Sequence, residues 1–137
     1  MSASFILDAS VAMSWCFEDE MDEYSQNILN NIEQFNALVP ALFFIEVSNV
    51  LVLSEKRNRL TAADSTRFVD ILDRPCIGIS DLIFSIQEIT NMARYTKLTS
   101  YDVIYLMLAM HTGLPIATKD NALKNVCLEN GVSFFTP

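Results

Sequence analysis

Residues 4–11 read SFILDASV, and this short stretch sets the architecture that we expect for the rest of the chain. The apolar run Phe5–Leu7 predicts a buried strand that ends at Asp8, and either Asp8 or Ser10 can cap the helix that follows. Short apolar runs and helical patterns then alternate along the chain. This alternation predicts an α/β domain with a mainly parallel central sheet that helices cover on both faces.

The other elements are predicted from apolar spacing and from helix caps. Thr61 and Asp64 form a capping-box pattern at the start of one helix, and Gly131 follows the last helix. We expect strands at 4–7, 37–39, 76–80, 116–118 and 132–135, and helices at 11–17, 22–35, 40–57, 81–95, 100–112 and 121–130, with another helix beginning at Thr61.

Composition narrows the class of protein. The chain has 137 residues, of which 51% are hydrophobic and 19% charged, so it can bury a core and is not a disordered tail. It contains no repeat or linker, which indicates one domain over 1–137.

Apolar runs are shorter than the ~20 residues of a bilayer span, and the N-terminal segment lacks a basic region, so we expect no membrane or secretory segment. Three cysteines (Cys16, Cys76 and Cys127) without CxxC spacing favour free thiols in a reducing cytoplasm.

Four carboxylates stand within or beside apolar sequence, where solvation does not explain them. Burying a carboxylate without a partner is costly and raises its pKa, and few basic residues lie near these acids in the sequence. One divalent cation would stabilise all four. An oxygen-only ligand set favours Mg²⁺ or Mn²⁺, whereas one His and scattered cysteines do not suit zinc. The four acids are Asp8, Glu46, Asp102 and Asp120.

Each of these acids also has a simpler explanation. Asp8 and Asp120 could cap the helices that follow them. Glu46 could form an ion pair with a distant arginine, and Asp102 lies in a capping-box pattern that begins at Thr99. From the residues alone these explanations stay open. Two of the acids nevertheless follow predicted strands, at the edge where parallel sheets bind ligands.

Four ordered segments resemble the motifs of PIN-domain ribonucleases, and especially the VapC-like toxins of type II toxin–antitoxin pairs. They are ILDASV at 6–11, ALFFIEVSNV at 41–50, LTSYDVIYLMLA at 98–109 and LPIATKDNAL at 114–123. The resemblance implies a PIN-like three-layer α/β/α domain and a Mg²⁺-dependent endoribonuclease that cleaves RNA phosphodiesters, with Mn²⁺ as a substitute. It also implies a homodimer and a cognate antitoxin that covers the active-site groove.

The resemblance assigns roles to particular residues. Asp8, Glu46, Asp102 and Asp120 would be the acidic quartet that binds Mg²⁺ and carries catalysis. The polar residues that support this quartet would be Ser10 and Thr118.

The charge of the chain works against RNA binding. Seventeen acidic and nine basic residues give a net charge of −8 at pH 7. We expect the acidic stretch 18–23 to be a solvated helix start. The one basic cluster comprises Lys56, Arg57 and Arg59. Its position at a helix C-terminus explains it without RNA, and contact with phosphates is the alternative. Lys119 is a further candidate for RNA contact.

Three other functions compete with the nuclease interpretation. A phosphohydrolase would use Asp8 as a covalent nucleophile, but the haloacid-dehalogenase-like pattern requires a second Asp where Ser10 stands. A receiver-type signalling domain requires adjacent acids at the first strand, and the sequence lacks them. A PIN-like RNA-binding module that has lost catalysis is the main alternative, and the presence of all four acids argues against it.

Overall fold

The computed structural model describes residues 3–137, which form an α/β fold with four strands and seven α-helices. The strands are β1 (Ala3–Leu7), β2 (Phe35–Val39), β3 (Ile77–Ile79) and β4 (Ile116–Ala117). The helices are α1 (Ala9–Cys16), α2 (Glu23–Asn30), α3 (Leu42–Lys56), α4 (Ala62–Leu72), α5 (Ile86–Thr96), α6 (Ser100–Thr112) and α7 (Asn121–Glu129), with 3₁₀ turns at Glu18–Glu20 and Ile32–Gln34. The predicted α/β class is confirmed.

The central sheet has the strand order β3-β2-β1-β4, and every pairing is parallel. From β1 the chain moves outward to β2 and β3, and it then returns to place β4 on the other side of β1. The strand order therefore reverses between β1 and β4. In open parallel sheets the crevice beyond the carboxyl ends of such a pair is where ligands bind.

The β1 strand lies at the centre of two hydrophobic cores. Its side chains alternate in direction, as in any strand. Phe5 and Leu7 belong to a core with residues of α1, α2, α3 and α4, whereas Ile6 packs with residues of α6 and α7. All three side chains are fully buried. Helices therefore cover both faces of the sheet, as the three-layer prediction requires.

The helix predicted at 22–35 is wrong in its second half. Asp22 caps α2 by accepting a hydrogen bond from the Ser25 amide, but the helix ends at Asn30. A 3₁₀ turn follows, and Phe35 begins β2, where its ring packs edge-on against Phe5. The apolar spacing predicted too long a helix. Ile32 and Phe35 fit the apolar face of a helix, but they also pack into the core from a 3₁₀ turn and from β2.

Two other boundaries differ from the prediction. The helix expected from 81 begins at Ile86, because Ser85 and Glu88 form a capping box that sets its first turn. The strand expected at 132–135 is reduced to a single bridge between Ile116 and Phe134. The predicted capping box at the start of α4 is confirmed.

Two further expectations can be compared with the described residues. Across 3–137, no helix is both long enough and apolar enough to cross a membrane. All three cysteines are free thiols, as the absence of CxxC spacing predicted.

Candidate functional site

Asp8 lies at the carboxyl end of β1, in the crevice beside β4. It occupies the N-cap position of α1, but its side chain makes no capping hydrogen bond. Its Oδ2 instead accepts hydrogen bonds from the hydroxyls of Ser10 (2.5 Å) and Thr118 (2.8 Å), and the residue is only 5% exposed. The capping explanation for this carboxylate is therefore wrong, and the two residues predicted to support the acids bind it directly.

The Ser10 and Thr118 hydroxyls also join the chain segments that follow β1 and β4. Ser10 Oγ accepts a hydrogen bond from the Lys119 amide at 2.9 Å, and Thr118 Oγ1 accepts one from the Asp120 amide at 3.0 Å. Each hydroxyl has one proton, and both protons are donated to Asp8. The 3.3 Å approach of the two hydroxyl oxygens is therefore a close contact within a network that converges on one carboxylate.

The environment of Asp8 opposes its negative charge. Burial raises the pKa of the Asp8 carboxyl above its ordinary value, the hydrogen bonds from Ser10 and Thr118 lower it, and the charge of Asp120 raises it further. The net direction is upward. No ion pair among residues 3–137 includes this carboxylate. A buried acid with two hydroxyl donors and no cationic partner is costly, and a cation would remove that cost.

Asp120 caps α7, in agreement with its simpler explanation. Its side chain accepts a hydrogen bond from the Leu123 amide at 3.0 Å. Its position two residues after Thr118 also places its charge close enough to raise the pKa of Asp8. The capping role and a role in the acidic crevice are therefore compatible.

Asp102 lies in the first turn of α6, where the Thr99 hydroxyl accepts a hydrogen bond from its amide at 3.2 Å. The reciprocal bond that completes a capping box is present in α4 and α5 but is not formed in α6. The Asp102 carboxylate therefore accepts no hydrogen bond from the Thr99 amide, and the hydrogen bond that it makes with the Thr99 side chain lowers its pKa. Burial, followed by the charges of Asp120 and Asp8, raises the pKa of Asp102 to about 6.

Glu46 lies in the second turn of α3 and is half-buried. Its Oε1 accepts a hydrogen bond from the Tyr105 hydroxyl at 2.7 Å, so the arginine partner suggested for it is wrong. Burial raises the pKa of Glu46, the Tyr105 bond lowers it, and the charges of Asp8 and Asp102 raise it again. The four acids thus come from four separate segments, and the charges of Asp8, Asp102 and Asp120 each raise the pKa of at least one other acid of the set.

The chemistry of the available ligand atoms, and not a preformed metal site, indicates which cation suits these acids. Among residues 3–137, no three His, Cys, Asp or Glu side chains converge into a ready metal site. The four acids supply only carboxylate oxygens, and none of them takes part in an ion pair within that range. Hard divalent cations such as Mg²⁺ and Mn²⁺ prefer such ligands. The residues present therefore fit Mg²⁺ or Mn²⁺ in chemistry and in charge.

Two of the four basic residues predicted to contact RNA are held by acids of the same chain. Arg59 Nη2 lies 2.9 Å from both Asp19 Oδ1 and Glu20 Oε2. Lys119 Nζ lies 3.4 Å from Asp22 Oδ2 and donates a hydrogen bond to the Glu20 carbonyl. Of the stretch expected to be a solvated helix start, residues 18–20 form an exposed 3₁₀ turn, whereas Asp22 and Glu23 do begin α2. These acids neutralise nearby cations.

Lys56 and Arg57 occupy the C-terminal end of α3. Lys56 is the last residue of the helix and Arg57 its C-cap, and both are exposed. Neither forms an ion pair with another described residue. Their position agrees with the helix-dipole explanation, and it also leaves both side chains accessible to a phosphate backbone.

Comparison with known proteins identifies the family. The family model described as "PIN domain" matches residues 5–128, a range that includes all four acids. Comparison with the curated proteins gives no match. Among solved structures the chain is similar to PAE2754 from Pyrobaculum aerophilum, with 21% identity and a TM-score of 0.71 over 91% of this chain and 86% of that chain. It is also similar to a domain of a functionally unknown protein from Methanocaldococcus jannaschii DSM 2661, with 10% identity and a TM-score of 0.56 over 99% and 91% of the two chains.

The structural matches and the family match support different conclusions. At such low identity the structural matches show the fold alone. The family model spans most of the chain, and its match agrees with the parallel sheet and with the crevice between β1 and β4. The chain therefore belongs to the PIN-domain family, whose members are generally nucleases.

Proposed function

We propose that this protein is a Mg²⁺-dependent endoribonuclease and the toxin of a type II toxin–antitoxin pair. The observation that supports the activity most strongly is the setting of Asp8, a buried carboxylate at the carboxyl end of β1, with hydroxyl donors and no cationic partner among the described residues. Membership of the PIN-domain family supports nuclease chemistry, and the VapC-like motifs support the toxin role.

The four acids would hold the cation. Asp8, Asp102 and Asp120 would supply most of the direct coordination, and Glu46 would bind directly or through water and orient the attacking water. When bound, the cation polarises a phosphoryl oxygen and lowers the pKa of a water. In-line attack would leave a 5′-phosphate and a 3′-hydroxyl.

The hydroxyls around Asp8 would keep it ready to bind the cation. By donating both protons to Oδ2, Ser10 and Thr118 favour the ionised form of a carboxyl whose pKa burial raises. Neither hydroxyl bonds to Oδ1. The same two side chains accept hydrogen bonds from amides just beyond β4, so the carboxylate is fixed relative to both strands.

RNA would approach a surface on which two of the four candidate basic side chains are already paired with acids. The exposed Lys56 and Arg57 are the candidates for phosphate contact, whereas Lys119 and Arg59 would first have to leave their acidic partners. We further propose, from the likeness to toxins, a homodimer in the cytoplasm and an antitoxin that covers the groove.

The test is cleavage of RNA by the purified wild-type protein and by Asp8→Asn, with Mg²⁺ or with a chelator, followed by mapping of new 5′ ends. The wild type is expected to produce 5′-phosphate ends only with Mg²⁺, and Asp8→Asn is expected to be inactive. Asp70→Asn makes the same charge change at an exposed position of α4 and should keep full activity.

Three results would contradict the proposal. Wild-type cleavage by Asp8→Asn would remove this residue from the site. RNA binding by the wild type without Mg²⁺-dependent cleavage would favour the module that has lost catalysis. Release of phosphate from small monoesters, with RNA left intact, would favour the phosphohydrolase.

A further inference from the structure

Tyr105 is a buried polar residue that has no part in the proposed metal coordination or RNA contact. It lies on α6, three residues after Asp102, and its side chain is fully buried. Its hydroxyl donates a hydrogen bond to Glu46 Oε1 at 2.7 Å. We propose that Tyr105 is a positioning residue, which holds one oxygen of Glu46 so that the other oxygen stays available to the divalent cation. The inference rests on the proposed function and concerns this one contact.

The contact joins a rigid donor to a flexible acceptor. Tyr105 has two side-chain torsions and belongs to the core that includes Ile6, Leu106 and Ile116, so its hydroxyl has one defined position. Glu46 has three torsions and is half-buried, and without a partner its carboxylate would sample several rotamers. A hydrogen bond from a fixed side chain to a metal-binding carboxylate orients that carboxylate and tunes its affinity for the metal.

The Tyr105 hydroxyl is a hydrogen-bond donor at neutral pH. Burial, the hydrogen bond to Glu46 and the charge of that carboxylate all raise the pKa of Tyr105 above its ordinary value. An ordinary tyrosine is already protonated at neutral pH, so the hydroxyl can donate there. Its hydrogen bond connects α3, which carries Glu46, to α6, which carries Asp102. This contact therefore links the positions of Glu46 and Asp102, which are 56 residues apart in the sequence.

A purely structural explanation is that Glu46 merely satisfies a hydroxyl that would otherwise be buried without a partner. The two explanations predict different effects of removing the hydroxyl. Tyr105→Phe keeps the ring and its packing and deletes only the donor. If the bond is structural, metal affinity will not change. If Tyr105 positions Glu46, metal affinity will fall, and the fall will require Glu46.

The experiment is calorimetric titration of Mn²⁺ into the full chain without RNA, together with the Mg²⁺ dependence of RNA cleavage. Tyr105→Phe is expected to weaken Mn²⁺ binding about tenfold and to raise the half-saturating Mg²⁺ concentration by a similar factor. In a Glu46→Ala background the same substitution is expected to cause no further loss. Tyr24→Phe is the matched control. It removes a 2.7 Å hydrogen bond to the Phe135 carbonyl, a bond in which none of the four acids takes part, and should leave Mn²⁺ affinity unchanged.

The possible results separate this inference from the proposed function. If the wild type binds Mn²⁺ and cleaves RNA but Tyr105→Phe matches it, the positioning role is overturned and the nuclease proposal stands. If Tyr105→Phe weakens binding equally in the Glu46→Ala background, Tyr105 acts through the fold, and the inference again fails. If the wild type binds no Mn²⁺ and cleaves no RNA, both are overturned.

Discussion

Asp102→Asn is expected to make the metal-free protein more stable at pH 7, although it removes a proposed metal ligand. Burial and the charges of Asp120 and Asp8 raise the pKa of Asp102 from 3.8 to about 6. At 1.36 kcal/mol per pKa unit, this difference corresponds to about 3 kcal/mol against the ionised form. Because the side chain is only half-buried, solvent screening reduces the effect to about 1–2 kcal/mol. Asparagine keeps the size of the side chain and removes the charge.

The same substitution also weakens two favourable interactions, of which one is the hydrogen bond between the carboxylate and the Thr99 side chain. Asp102 lies in the first turn of α6, where a carboxylate gains about 0.3–1 kcal/mol from the helix dipole. The cap itself survives, because the Thr99 hydroxyl accepts from the backbone amide of residue 102. The net expectation is that Asp102→Asn raises the free energy of unfolding by about 1 kcal/mol.

The assay is urea unfolding between pH 4 and 8 in the presence of a chelator. An acid whose pKa is raised in the folded state contributes stability below its unfolded value, and this stability is lost as the pH rises through the folded value. The wild type should therefore lose stability between about pH 4 and pH 7. Asp102→Asn should lose less, because one of the three raised carboxyls is gone.

Asp64→Asn is the matched control for this experiment. Asp64 occupies the corresponding position of α4, where hydrogen bonds from Thr61 lower its pKa. Neutralising it should destabilise the protein at pH 7, opposite in sign to Asp102→Asn. The reasoning is refuted if Asp102→Asn is less stable than the wild type at pH 7 and its stability has the same pH dependence.

The hydrogen bonds and ion pairs of the crevice and its surroundings make three more predictions. Thr118→Val deletes the hydroxyl that donates a hydrogen bond to the buried Asp8 carboxylate, so the free energy of unfolding at pH 7, measured by urea titration, should fall by about 1.5–3 kcal/mol. An unchanged value would contradict the hydrogen-bond network around Asp8. Asp22→Asn removes an ion-pair partner of Lys119, so RNA binding should tighten and its salt dependence steepen; unaltered binding would show that Lys119 does not reach RNA. Replacing Lys56 and Arg57 with Gln should flatten the slope of log affinity against log salt by about 1–2, and an unchanged slope would exclude both from phosphate contact.

The sequence predicted the fold well where local features, such as apolar spacing and helix caps, indicate the same structure that packing in the core requires. The apolar run before Asp8, the capping box at Thr61 and the helix Ser100–Thr112 were all predicted close to their observed bounds. Prediction failed at α2, because apolar spacing does not distinguish a helix from a turn followed by a strand when both reach the same core. It also failed at the start of α5, where the Ser85–Glu88 capping box, and not the apolar spacing, sets the first turn.

The site was predictable as a set of residue types but not as a set of contacts. A lone carboxylate in apolar sequence, such as Asp8 or Glu46, indicates that a cation or hydrogen-bond donors must stabilise its charge. The hydrogen bond from Tyr105 and the ion pair of Lys119 join residues 59 and 97 positions apart, and no local pattern reports such pairs. That Asp120 caps its helix while its charge acts on Asp8 likewise emerges only from the folded chain.

Whether acids from distant segments bind one divalent cation together can be measured directly. Mn²⁺ would be titrated into the wild type, Asp8→Asn and the exposed control Asp70→Asn, with bound metal measured by electron paramagnetic resonance. We predict saturable binding by the wild type and by Asp70→Asn, and binding by Asp8→Asn that is weaker by about tenfold or more. Equal Mn²⁺ affinity in the wild type and Asp8→Asn would contradict a shared metal site at this crevice.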